Sequence, residues 1–135
     1  MDRIDPSKKI YIAKSKIAGL GVFAGRDIAE GELIEESPVI VIPDEQISDF
    51  VKTNLIDYAF FNWGEDGNAA AVMLGYGSLF NHSYEPNAKY IVFTEEKLIR
   101  FVAIKSIKEG EEIVMNYNGK TEDKTKLWFE AREER

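Results

Sequence analysis

Apolar and polar residues alternate from Lys9 to Ser15, KIYIAKS, and a period of two is the signature of a strand with one face buried. Two further strand-like runs follow in GVFAGRDIAEGELIEESPVIVIP, Gly21 to Pro43, with Gly25, the Glu30-Gly31 pair and Pro38 as punctuation. The pattern changes at Pro43. Ile47, Phe50, Val51 and Leu55 then recur at helical spacing behind a capping-type Asp44, which predicts one short helix. YAFFNW, EDGN and AAAVMLG read as strand, turn, strand, with Asp66-Gly67 suited to the positive φ values of a tight hairpin. KYIVFTEEKLIRFVAI repeats that logic around Glu95-Glu96, and the tail KTKLWFEAREER is charged and helix-compatible. The segments AGRDIAEGELIE (24–35) and AIKSIKEGEEIV (103–114) echo one another, each as strand, turn, strand with glycine at the same turn position. Two copies are too few for a solenoid, and an internal repeat and shared turn chemistry explain the echo equally well.

Composition narrows the function. A length of 135 residues with 44% hydrophobic and 12% aromatic content fits one β-rich domain around one core. No apolar run approaches the roughly 20 residues a bilayer span needs, so no membrane association is predicted. The charged start, with Asp2, Arg3 and Asp5, does not read as a secretory signal, and a cytoplasmic protein is expected. Zero cysteines exclude disulfides, thiolate zinc sites and cysteine nucleophiles, and a single histidine excludes most zinc hydrolases. With 24 acidic against 17 basic residues, net −7, direct nucleic-acid binding is not expected, whereas a lysine-rich protein segment is attracted. The same charge also serves plain solubility.

Three clusters carry candidate chemistry: Gly19-Leu20-Gly21; Asn81-His82-Ser83 with Pro86-Asn87; and Gly110-Glu111-Glu112 running into Tyr117. Singly, each is weak. The first lacks the third glycine and the following helix of a dinucleotide fingerprint. The second matches a glycosylation sequon, which a cytoplasmic chain never uses. Glu111 and Glu112 do not form a hydrolytic carboxylate pair, because neighbours on a strand point to opposite faces.

In this order and spacing the three clusters resemble the SET-domain family of protein-lysine methyltransferases, over Ile10 to Asn118. The resemblance implies a mainly β fold with short helices: a β-clip of several small sheets with a C-terminal pseudoknot. Residues 10–118 would form the domain, between flanks 1–9 and 119–135. It implies S-adenosylmethionine as cofactor, held by Gly19, Leu20, Gly21, Asn81, His82, Tyr117 and Trp128, with no metal. Tyr117 would be the catalytic residue, its hydroxyl neutral near pH 7, and Tyr58, Phe60, Tyr76 and Met115 would line the substrate lysine channel. Trp128 and Phe129 would cover the adenine or the channel entrance in place of the cysteine-bound zinc cluster found after the domain in many members. The chain departs from the family at Asn116, where aspartate is frequent, and at Met115, where Phe or Tyr helps set the number of methyl groups. The expected partner is a basic protein or peptide, histone-like or DNA-packing, laid along the acidic surface as an added strand. A chromatin substrate would place the protein in a nucleus or at a nucleoid. A homodimer is left open. The alternative is a catalytically silent SET-like module that only binds a protein partner.

Overall fold

The computed structural model describes residue 4 and residues 6–117. Among the described residues nine strands make two sheets. The first has four strands in the order β1 (Ile10–Lys14), β2 (Leu20–Ala24), β9 (Glu112–Met115), β6 (Asn81–His82). The second has five: β4 (Ala59–Trp63), β5 (Ala69–Met73), β3 (Leu33–Ile42), β8 (Leu98–Ala103), β7 (Ala88–Phe93). One cluster of buried side chains draws on both, with Ile10, Val22 and Ile113 from the first sheet and Ile34, Ile99 and Phe101 from the second. The arrangement of several small sheets with few helices is the one the sequence predicts.

The two echoing segments turn out to pair with each other. The Ile28 amide donates to the Ile107 carbonyl (2.7 Å) and the Ile107 amide to the Ile28 carbonyl (2.8 Å). Gly31 donates to Ala103 and Gly110 to Ala24, each at 2.8 Å. Both glycines take a positive φ, +85° and +88°, that only a residue without Cβ adopts freely. One residue further along, the Glu32 carboxylate accepts the Ala29 amide and the Glu111 carboxylate the Lys108 amide. The echo is therefore a local two-fold pairing, and it sets the start of β9 beside the end of β2.

Three local expectations are corrected. Pro38 does not interrupt a strand; β3 runs through it, because the proline sits where pairing passes from β8 (Pro38↔Leu98) to β5 (Val39↔Met73). The helix over Ile47–Leu55 stops after one turn, α1 (Ile47–Phe50). The Thr53 hydroxyl donates to the Phe50 carbonyl and accepts the Leu55 amide, which starts a separate 3-10 turn, Asn54–Tyr58. Only Phe50 of the four predicted apolar positions is buried. In the 64–68 turn the positive φ values belong to Gly64 and Gly67, not Asp66, whose carboxylate instead accepts the Asn68 amide.

A bulge in β3 between Leu33 and Glu35 breaks the alternation, so that Ile34 and Glu35 are both buried. The Glu35 carboxylate, 6% exposed, accepts the Tyr76 amide at 2.9 Å and so fixes the turn that precedes β6.

Candidate active site

The last two strands of the first sheet build a knot. β6 pairs parallel to β9, Asn81↔Val114 and His82↔Met115, although 31 residues separate Asn81 from Glu112. Asn87, 6% exposed, locks this pairing with its side chain. Its Nδ2 donates to the Glu112 carbonyl and its Oδ1 accepts the Val114 amide, both at 2.9 Å. Its backbone bonds Val114 on one side and Ile104 on the other. Asn87 thus behaves as a rung between β7 and β9. The Ser83 amide reaches the Met115 carbonyl (2.9 Å), and the Tyr117 amide donates to His82 Nδ1 (3.0 Å). The His82 ring fastens the end of the knot, 5.2 Å centroid to centroid from the Tyr117 ring.

On one side of this knot lies the turn 15–19. The Ser15 amide closes it on the Gly19 carbonyl (2.8 Å), with Gly19 at φ +46° and Leu20, 52% exposed, opening β2. Asn81 Nδ2 is ringed by the carbonyls of Ala18 (3.1 Å) and Leu20 (3.2 Å) and by Glu112 Oε2 (2.9 Å). The Ser15 hydroxyl meets both Glu112 oxygens, at 2.8 and 2.9 Å. A Cβ on Gly21 would collide with Glu112 Oε2, so glycine at this position is what admits the carboxylate.

On the other side is a cavity of about 230 Å³ walled by Tyr58, Phe60, Phe80, Tyr90, Phe101, Met115 and Tyr117 among others. The rings interlock: Phe80 stacks on Phe101 at 4.6 Å, and Phe60 meets Tyr90 edge-on at 5.2 Å. Tyr76, 39% exposed, stands at the turn before Gly77 and does not itself line the cavity. Tyr117 joins the cavity to the knot, through its ring on one hand and His82 on the other. Its hydroxyl donates to the Phe80 carbonyl while part of the residue, 40% exposed, faces solvent. Burial of the hydroxyl, with the Glu112 carboxylate adding to it, pushes the phenol up to about 12.

Of the residues expected from the sequence, the chain brings together Gly19, Leu20, Gly21, Asn81, His82 and Tyr117, and gathers Tyr58, Phe60 and Met115 around the adjoining cavity. Trp128 and Phe129 lie outside the described residues. Sequence reasoning missed Ser15, Phe80, Tyr90 and Phe101, which carry no local motif. It dismissed Glu112 as half of a hydrolytic pair; Glu111 and Glu112 do face apart, Glu111 toward Lys108 and Glu112 toward Ser15.

A family model described as the SET domain matches residues 19–118. The chain is 30% identical to the Schizosaccharomyces pombe histone-lysine N-methyltransferase, H3 lysine-37 specific, across 90% of this chain and 77% of that protein. It is 32% identical to the Chaetomium thermophilum histone-lysine N-methyltransferase EZH2, over 95% of this chain but only 9% of the larger protein. Among solved structures, a Plasmodium falciparum protein named for histone methyltransferase activity superposes with a TM-score of 0.68 at 34% identity, covering 90% of this chain and 97% of that one. The fold and these likenesses define the class as that of SET-domain protein-lysine methyltransferases. The chain belongs to the SET-domain family.

Proposed function

We propose that this protein-lysine N-methyltransferase takes its methyl group from S-adenosylmethionine and places it on a lysine within a basic, histone-like or DNA-packing protein, with Tyr117 at the reaction centre. The observation that carries the reading is that Tyr117 walls the aromatic cavity while its backbone and ring meet His82, the neighbour in sequence of Asn81 on the polar side. S-adenosylmethionine supplies a methyl group on a cationic sulfur. The polar side fits its amino-acid end. Space is open around Gly19, the Asn81 nitrogen is spent on three acceptors, and the Asn81 oxygen makes no hydrogen bond among the described residues. That oxygen and the nearby backbone can hold an ammonium group.

The aromatic side fits a lysine. An amine attacks only when uncharged, and a free lysine has a pKa of ~10.4. A cavity walled by Tyr58, Phe60, Phe80, Tyr90, Phe101 and Met115 strips water from the ammonium form and favours the neutral amine. Aromatic faces also accommodate the methylated, cationic product. Burial keeps the Tyr117 hydroxyl protonated at neutral pH. Its oxygen, pinned by the bond to Phe80, accepts from the amine N–H and aligns the nitrogen for in-line attack, which is where most of the acceleration arises. A net charge of −7 draws a lysine-rich segment to the surface. Chromatin association follows from such a substrate; no helix among the described residues is long and apolar enough to cross a membrane.

Tyr117→Phe removes the aligning oxygen and keeps the ring. Transfer of labelled methyl to a histone or another lysine-rich protein is expected to fall about 100-fold or more, a loss on the scale of removing one preorganised polar group from an active site. Unchanged turnover with an intact circular dichroism spectrum would remove Tyr117 from the reaction.

A further inference from the structure

Glu112 is the group that most connects the polar side, and nothing in the methyl-transfer chemistry calls for a carboxylate there. Its two oxygens take the Ser15 hydroxyl and the Asn81 amide, and the Ser15 oxygen in turn accepts the amides of Ile17 (2.9 Å) and Ala18 (3.4 Å). One side chain therefore holds both the turn 15–19 and Asn81. An amide nitrogen has two hydrogens, and here three acceptors surround it. Turning the amide over would set its oxygen against those three oxygens, so Glu112 and the two carbonyls lock the Asn81 oxygen outward. Gly21 supplies the space in which the carboxylate stands.

We propose that Glu112 is the positioning residue for the amino-acid end of S-adenosylmethionine: it orients the Asn81 oxygen toward the donor's ammonium group and places a negative charge behind that contact. This rests on the reading that the chain binds S-adenosylmethionine. Hydrogen bonds backed by charge are about twice as strong as neutral ones, so the effect is confined to ligands that carry the ammonium. A carboxylate that merely braced the knot would affect every ligand alike.

The test measures binding of S-adenosylhomocysteine and of its deaminated analogue, by calorimetry and by competition, to the wild-type protein and three variants. Glu112→Gln keeps the shape and the acceptor and deletes the charge. Its affinity for S-adenosylhomocysteine should fall about tenfold while that for the deaminated analogue stays within about twofold. Ser15→Ala leaves the charge in place, so it should keep the preference for the ammonium-bearing ligand even if both affinities drop. Glu112→Asp also retains the charge and should retain the preference, which keeps the test decisive if the glutamine variant unfolds. Equal losses for both ligands in Glu112→Gln, or no loss for either, overturns the assignment. Failure of the wild-type protein to bind S-adenosylhomocysteine overturns instead the functional reading on which it stands.

Discussion

Replacing Asn87 by alanine deletes two hydrogen bonds of 2.9 Å that join a buried side chain to the backbone of β9. Each such bond contributes about 1 kcal/mol net, and a buried donor or acceptor left without a partner costs about 1–3 kcal/mol. The Val114 amide is buried and has no water to turn to, whereas the Glu112 carbonyl is half-buried and recovers part of its loss. The expected destabilisation is therefore about 2–4 kcal/mol, a large share of the roughly 5–15 kcal/mol that holds a domain of this kind folded. Urea unfolding followed in parallel by circular dichroism and tryptophan fluorescence measures it, since coincident transitions license a two-state free energy. Asn87→Asp keeps the acceptor for Val114 and loses the donor to Glu112, so it separates the two bonds. A loss under about 0.5 kcal/mol for the alanine variant, the level of an ordinary surface change, would refute the idea that Asn87 clamps the knot.

Gly21→Ala should lower both stability and affinity for the methyl donor, because the new Cβ must displace the Glu112 carboxylate; donor titration and a thermal melt check it together. Glu35 carries a pH signature. Burial first raises its pKa, against the opposing bonds from Tyr76 and Ser37, so the fold prefers the protonated carboxyl and is penalised as pH rises through the folded pKa. Glu35→Gln should consequently be more stable than the wild-type protein at pH 7, with the difference in denaturation midpoint shrinking as the pH falls toward 4; a difference independent of pH contradicts the sign.

Alternation made β1 legible, since KIYIAKS became a strand with Ile10 buried and Tyr11 exposed, whereas β2 and β8 were legible as short apolar runs between turn residues. The three motifs were legible because short, spaced residue types identify them without any knowledge of contacts. Other features leave no such trace. Pro38 looks like a strand breaker until the handover from β8 to β5 supplies a position with no donor required. The helical spacing of Val51 and Leu55 is cut by a single Thr53 hydroxyl, a side-chain bond that periodicity does not register. The contact between Ser15 and Glu112 spans 97 residues, and no pattern in the sequence between them anticipates it. The echo of 24–35 in 103–114 was visible, but its meaning, two halves bonded to each other, emerges only from the pairing of Ile28 with Ile107.

The most direct measurement is mass spectrometry of a lysine-rich histone incubated with the protein and S-adenosylmethionine. Added methyl mass on a lysine side chain, present with the wild-type protein and reduced to near background with Tyr117→Phe, is the predicted result. Substrate of unchanged mass, under conditions in which the protein is folded and the donor is bound, would contradict the claim that this knot and its aromatic cavity form a lysine methylation site.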